Sequence, residues 1–124
     1  MKDEQALRRA AYHRGRRAER LATWWLRLKG YRVLARGWRS RLGEIDLIAT
    51  RGNVVVFVEV KRREEEWKAL QAVSLRQRQR IARAAQLFVQ KHPELGGYSF
   101  RFDVLLLSRG RLPRHMADVW RDLG

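Results

Sequence analysis

A chain of 124 residues, 45% of them hydrophobic, is long enough for one domain with its own core and too apolar for a disordered tail. Lys and Arg number 28 against 13 acidic residues, a formal net charge of +15 that opposes compaction and points to a polyanionic partner, phosphate backbones being the commonest. The lack of Cys excludes disulfides and thiolate zinc sites, and no apolar run reaches the length of a membrane span or signal peptide, so a cytoplasmic protein is expected.

Residues 1–14 are charged and contain several alanines, and they read as a helical or frayed basic arm on a single domain spanning 1–124. From Arg16 to Lys29, the residues Ala18, Leu21, Ala22, Trp25 and Leu28 recur at spacings of three and four, which predicts a helix that Gly30 stops. Tyr31 to Arg36 read as a short strand and Gly37 to Arg41 as a basic loop carrying Trp38. Two β-branched runs follow, Gly43 to Thr50 and Asn53 to Lys61, with Arg51-Gly52 as a tight turn between them. Arg62 to Gln71 read as a polar loop, and Ala72 to Lys91 as a second helix with Ile81, Ala84, Ala85 and Phe88 facing inward. His92-Pro93 ends that helix, since proline disfavours helical geometry in the residue before it. Ser99 to Ser108 form a further strand, and Ala117 to Arg121 a candidate edge strand. Helices on either side of a hairpin in this order predict an α/β fold, a mixed sheet with helices on its faces.

Asp46, Glu59 and Lys61 are the candidates for chemistry. Side chains alternate along a strand, so Glu59 and Lys61 share a face with Val55 and Phe57, opposite Val54, Val56, Val58 and Val60. With Arg51-Gly52 as a two-residue turn, Asp46 falls opposite Phe57 and diagonal to Glu59. Charges on a buried strand are costly unless paired or bound to metal. That leaves two readings, a structural ion pair such as Glu59–Lys61 or a phosphodiesterase centre. In the second, carboxylate oxygens take Mg²⁺, which neutralises phosphate charge and acidifies a bound water, and the lysine orients that water.

The segments Gly43–Ala49 (GEIDLIA) and Phe57–Arg63 (FVEVKRR) resemble the two motifs of the YraN-like family of bacterial proteins. Gly15–Glu19 (GRRAE), Ala69–Val73 (ALQAV) and Arg101–Val104 (RFDV) extend the resemblance in the family's order, from Gly15 to Ser108. That family is grouped with the PD-(D/E)XK nucleases and is similar to archaeal Holliday-junction resolvases. The resemblance implies a restriction-endonuclease-like α/β/α sandwich of three layers around a mixed sheet. It also implies that Asp46 and Glu59 are metal carboxylates, with the carbonyl of Val60 as a further ligand. Lys61 matches the catalytic lysine, and Glu19 the acidic residue contributed by the first helix. Glu19 also lies three residues before Ala22, on the border of the apolar stripe, where a plain solvated carboxylate is the alternative. Glu44 shares a face with Asp46 and either assists the metal or makes structural hydrogen bonds, whereas Asp103 reads as a structural partner for an arginine. The chain departs from the family twice. Gln77-Arg78 stand where a Lys-Gln pair is usual, leaving Gln77 to orient water or phosphate, and Glu66-Trp67 stand where an aromatic residue and glycine are usual.

The basic residues have some order of their own. Arg76, Arg80 and Arg83 fall on one stripe of the second helix, Arg39, Arg41 and Arg51 lie at strand ends near Trp38, and Arg63 follows the second motif. Arginines with an interleaved aromatic suit phosphate tracking and base stacking, although each alone fits an ordinary solvated surface. The expected function is Mg²⁺-dependent endonucleolytic cleavage of DNA, with Mn²⁺ as a substitute, on branched or repair-intermediate substrates. A homodimer is expected by analogy with resolvase-like relatives. The alternatives are a non-catalytic nucleic-acid-binding module that keeps the fold, and a ribosome-associated accessory protein, which leaves the acidic residues unexplained.

Overall fold

Alternation organises the centre of the molecule. In the strand Val54–Lys61, Val55 and Phe57 belong to one buried cluster while Val56 and Val58 belong to another, so the strand is covered on both faces. Such a strand has to lie inside a sheet, and it does. The computed structural model describes residues 17–71 and 75–120, apart from the side chains of residues 67, 69–71, 75 and 77. In chain order it contains α1 over residues 17–28, β1 (Arg32–Ser40), β2 (Gly43–Arg51), β3 (Val54–Lys61), α2 (Glu64–Gln71), α3 (Leu75–Gln90), a 3₁₀ turn (Pro93–Leu95), β4 (Ser99–Leu106) and β5 (Arg114–Met116).

The five strands form one mixed sheet in sequence order. β3 and β4 run parallel, and the other neighbours are antiparallel. A parallel pair needs a crossover, which α2 and α3 supply. Ala84, Ala85 and Phe88 of α3 pack with Ile48, Val55, Phe57, Phe102 and Val104. Ala22 and Leu26 of α1 pack with Leu47, Ala49, Val56, Val58 and Leu105. The two helices therefore cover opposite faces of β3, and the chain is of the α/β class.

Several boundaries differ from those read in the sequence. The hairpin turn is Gly52-Asn53, one residue later than expected, because Arg51 pairs with Val54 and only Gly52 takes a positive φ of 60°. Register moves with it, so Ile48 rather than Asp46 lies opposite Phe57. β1 continues through the expected loop to Ser40, with Gly37 absorbing a φ of 59° inside the strand. Residues 64–71 are helical rather than a polar loop. Three glutamates sit in the first turn, where the helix dipole favours them, and Glu66 accepts the Arg62 amide at 2.8 Å. On α1 the buried positions are Ala18, Ala22, Thr23 and Leu26, whereas Leu21 and Leu28 are 62% and 79% exposed. The edge strand is Arg114–Met116 rather than Ala117–Arg121. The expected arm over 1–14 and the expected helix start at Ala72 lie outside the described residues, and among the described residues no helix is long and apolar enough to cross a membrane.

Candidate metal centre

The ladder between β2 and β3 ends at Leu47 and Val58. Past that point the Val60 amide donates to the carboxylate of Asp46, with Oδ2 accepting at 2.8 Å. A backbone donor near the end of a ladder needs a partner, and here the partner is an anion that comes in from the neighbouring strand. Asp46 is thus fixed by main-chain geometry at the point where β2 and β3 part. It does not stand across from Phe57, as a turn one residue earlier would have required.

Two further carboxylates gather around it. One oxygen each of Glu19, Glu44 and Asp46 lies within 4.8 Å of the others. Glu19 comes from α1, where its backbone carbonyl accepts the Thr23 hydroxyl at 2.7 Å. Glu44 comes from the start of β2, opposite Arg39, whose Nε is 3.7 Å from its carboxylate. Gly37 on β1 completes the arrangement. A Cβ there would stand 3.7 Å from oxygens of both Glu19 and Glu44, and the φ of 59° disfavours any side chain. From the sequence alone Gly37 reads as the start of a loop, although a glycine inside an alternating run signals close approach of another group.

Glu59 adds a fourth carboxylate. Burial, followed by the charge of Asp46 and a hydrogen bond to it, raises the Glu59 carboxyl well above the usual carboxylate range. Lys61 opposes that shift and Glu44 adds to it. The protonated form of Glu59 is favoured beside the Asp46 carboxylate. A divalent cation replaces such a proton well, because it satisfies the same oxygens and supplies more positive charge. Beside Glu59 lies a void of about 10 Å³ bordered by apolar side chains, among them Ile45, Phe57, Ile81 and Trp120, which explains the loss of solvation. The donor set is hard oxygen throughout, the kind that Mg²⁺ and Mn²⁺ prefer. Glu19, Glu44 (read as auxiliary) and Asp46 therefore form the tight group, Glu59 adjoins it through Asp46, and Lys61 lies close enough to act on the Glu59 carboxyl. The Gln77 side chain lies outside the described residues.

The arginines divide into separate groups. Arg76, Arg80 and Arg83 line an open groove of about 380 Å³ together with Leu42, two residues before Glu44, and Arg80 Nε donates to the Leu42 carbonyl at 2.9 Å. Arg41 is exposed on the same turn, and Arg63 pairs with Glu66 at 3.7 Å. Arg51 does not belong with them. It sits at the far end of β2, its guanidinium 4.6 Å from the centre of the Tyr31 ring and donating to the Lys29 carbonyl at 3.3 Å. Trp38 is not an exposed stacking platform either. β1 is a paired strand at that position and turns the indole inward, edge-on to Phe88 at 5.4 Å.

Asp103 is the hub of a different polar cluster. Arg101 donates to both of its oxygens at 2.8 Å, His115 Nε2 lies 2.7 Å from Oδ2, and the Asp118 amide donates to Oδ1 at 3.0 Å. Burial alone would raise this carboxyl, but the bonds from His115, Arg101 and Asp118 outweigh it and hold it below the usual value.

Comparison with known proteins shows the family to which the chain belongs. Residues 18–107 match the model of the "Uncharacterised protein family UPF0102". A UPF0102 protein of Paramagnetospirillum magneticum is 50% identical over 116 residues, 90% of each chain. One of Nitrobacter winogradskyi is 48% identical over 110 residues, 89% of this chain and 93% of its own. One of Rhizobium johnstonii is 46% identical over 118 residues, 95% of this chain and 97% of its own. Glu19, Gly37, Glu44, Asp46, Glu59 and Lys61 all fall inside the matched span, and the chain belongs to the UPF0102, YraN-like family of bacterial proteins.

Proposed function

We propose that this protein is a metal-dependent endonuclease that hydrolyses phosphodiester bonds in DNA, built as a restriction-endonuclease-like α/β/α sandwich. The observation that carries the reading is the meeting of Glu19, Glu44, Asp46 and Glu59 beside Lys61, where β2 and β3 part. Like charges held together at a strand end destabilise a protein unless a cation joins them. The resemblance of GEIDLIA and FVEVK to the PD-(D/E)XK motifs supports the same assignment.

Asp46 and Glu59, with the Val60 carbonyl, would hold a Mg²⁺ or Mn²⁺ ion, and Glu19 and Glu44 would complete the acidic shell. The ion would supply charge neutralisation at the phosphate and a more acidic water. Lys61 orients the attacking water and meets the negative charge that develops on the phosphate. The raised Glu59 carboxyl would be drawn back toward its ionised form by a cation held there. Arg76, Arg80 and Arg83 take the backbone flanking the scissile bond, with Arg41 and Arg63 at its borders and Arg39 balancing Glu44. A homodimer acting in the cytoplasm on branched or repair-intermediate DNA fits the charge and the resolvase likeness. A nicking and junction-cleavage assay with Mg²⁺, Mn²⁺ or EDTA tests this, Lys61→Ala serving as control. Cleavage that persists in EDTA, or in the Lys61→Ala protein at wild-type rate, refutes it.

One observation favours a second reading. Gln77-Arg78 replace the family's Lys-Gln pair, removing an ammonium from the start of α3, which suits a nucleic-acid-binding module without catalysis. Metal-dependent binding without cleavage of any DNA form would decide for it.

A further inference from the structure

The cluster around Asp103 lies at the other end of α1 from the carboxylates, with Lys29 ten residues beyond Glu19, about 15 Å along a helix. Four donor hydrogens reach Asp103, two from Arg101, one from the Asp118 amide and one from His115 Nε2. A carboxylate accepts only, so the imidazole proton resides on Nε2 and the Nδ1 lone pair is left open. Facing that lone pair at 2.6 Å is the Nζ of Lys29. Asp118 keeps a positive φ of 58° to aim its amide at Asp103, and Arg101 also donates to the Tyr31 hydroxyl at 2.7 Å, so the imidazole is aligned from several sides.

Asp103, His115 and Lys29 therefore form a chain in which a carboxylate orients an imidazole and the imidazole is poised to take a proton from an amine. The Lys29 side chain is exposed, so its nitrogen can be approached from solvent. Burial, then the nearby charge of Arg51, lowers its ammonium below the ordinary lysine value. Arg101 acts in the same direction and Asp103 against it. Arg51, anchored on the Tyr31 ring and on the Lys29 carbonyl, stands beside the amine with exposed donors. An amine next to a fixed guanidinium suits a carbonyl compound that also carries an anion.

We propose that Lys29 is a reactive amine that forms an imine with phosphate-bearing aldehydes, with His115, aligned by Asp103, taking its proton and Arg51 receiving the phosphate. The ammonium passes one proton to Nδ1 of His115. The amine lone pair forms a C–N bond to the aldehyde carbon while the carbonyl π pair moves to oxygen. Oxygen recovers the proton from His115, and the resulting hydroxyl leaves as water, taking a second proton that nitrogen releases through His115. The lone pair left on nitrogen then closes the C=N bond, giving the protonated imine, which keeps the third of the original ammonium hydrogens. This site is independent of the proposed nuclease centre and survives if that reading fails.

The test is reductive trapping of the full chain with pyridoxal 5′-phosphate, and in parallel with pyridoxal, using borohydride and peptide mapping from about pH 6 to pH 9. Lys29 is expected to be trapped about threefold or more faster than the exposed Lys68 and Lys91, with its rate rising at lower pH than theirs. The phosphorylated probe should be preferred at Lys29 only, and Arg51→Gln should erase that preference. His115→Gln should slow Lys29 to the rate of the other two lysines. Equal rates at Lys29, Lys68 and Lys91 in the wild-type protein overturn the proposal without recourse to any variant. Equal trapping of both probes at Lys29 overturns the phosphate assignment.

Discussion

Replacing Asp46 by Asn should stabilise the metal-free protein, the opposite of what a buried ion pair would give. Asp46 has oxygens of Glu19 and Glu44 within 4.8 Å and the Glu59 carboxyl in hydrogen-bonding contact. At 4.8 Å, two unit charges repel by about 0.9 kcal/mol in water and about 3.5 kcal/mol at the effective dielectric typical near a protein surface. Two such pairs vanish in Asp46→Asn, and Lys61 and Arg39 offset part of the repulsion, which leaves a gain of about 1–3 kcal/mol. The hydrogen bond from Val60 survives, because the Asn carbonyl oxygen can accept it. At about 3–4 °C per kcal/mol for a domain of this size, Tm in EDTA should rise by several degrees. Mg²⁺ at tenfold its Kd should then stabilise the wild type by about 1.4 kcal/mol and the variant by much less. Cleavage should be lost while DNA affinity stays equal or rises, since one anion facing the phosphate is gone. Thermal melts with and without Mg²⁺, run beside a cleavage assay, read all three effects. A fall of the about 3–5 kcal/mol expected of a broken buried pair, or wild-type cutting by a folded variant, would refute the reasoning.

Lys61→Ala should abolish cleavage and leave metal binding in place, seen as a retained Mg²⁺-induced rise in Tm with no nicked product. Duplex DNA binding should weaken with salt, log K falling by about 0.9 per phosphate neutralised for each unit of log salt, and Arg76→Ala or Arg80→Ala should each lower that slope by about one contact. A slope that is flat in the wild type would point to a protein partner instead. Asp103 sets an acid limit on stability. Its folded value is depressed, so its contribution is present above the ordinary carboxylate value of 3.8 and is lost as pH falls through the lower folded value. Asp103→Asn should cost about 3–5 kcal/mol at neutral pH, with the gap to wild type closing below about pH 4, which urea melts across that window would register.

The fold was legible where one physical pattern dominated. β3 announced itself by β-branched residues on both faces, and α3 by Ala84, Ala85 and Phe88 at helical spacing. Sequence reading failed where two patterns competed. The acidic run from Glu64 to Glu66 looked like a loop because it is polar. The same charges are the ones that suit the first turn of a helix, and Glu66 also satisfies the backbone at its start. On α1, Leu21 and Leu26 are equally apolar, and only the position of the sheet decides that Leu26 is buried.

The candidate site shows the same division. Asp46, Glu59 and Lys61 were found because charge on a buried strand demands a reason. Strand parity then kept Asp46 on the face of Glu59 even though the turn was placed one residue early, since the register moved by two positions in total. Glu44 and Gly37 could not be ranked this way. Their importance depends on a contact between α1 and β1 that no local spacing encodes: Gly37 matters because Glu19 and Glu44 close over it. The proposed nucleic-acid surface was the least legible part, because Trp38 and Arg51 have the right chemistry for it. Trp38 instead spends its ring on Phe88, and Arg51 its guanidinium on Tyr31 and Lys29. An arginine or a tryptophan at a strand end advertises a capacity for phosphate or base, and only its neighbours show whether that capacity is already used. By that criterion Arg76 and Arg83, with the Arg80 donors other than the Nε that binds the Leu42 carbonyl, line the groove along which a phosphate backbone would have to run to reach the carboxylates under the proposed function.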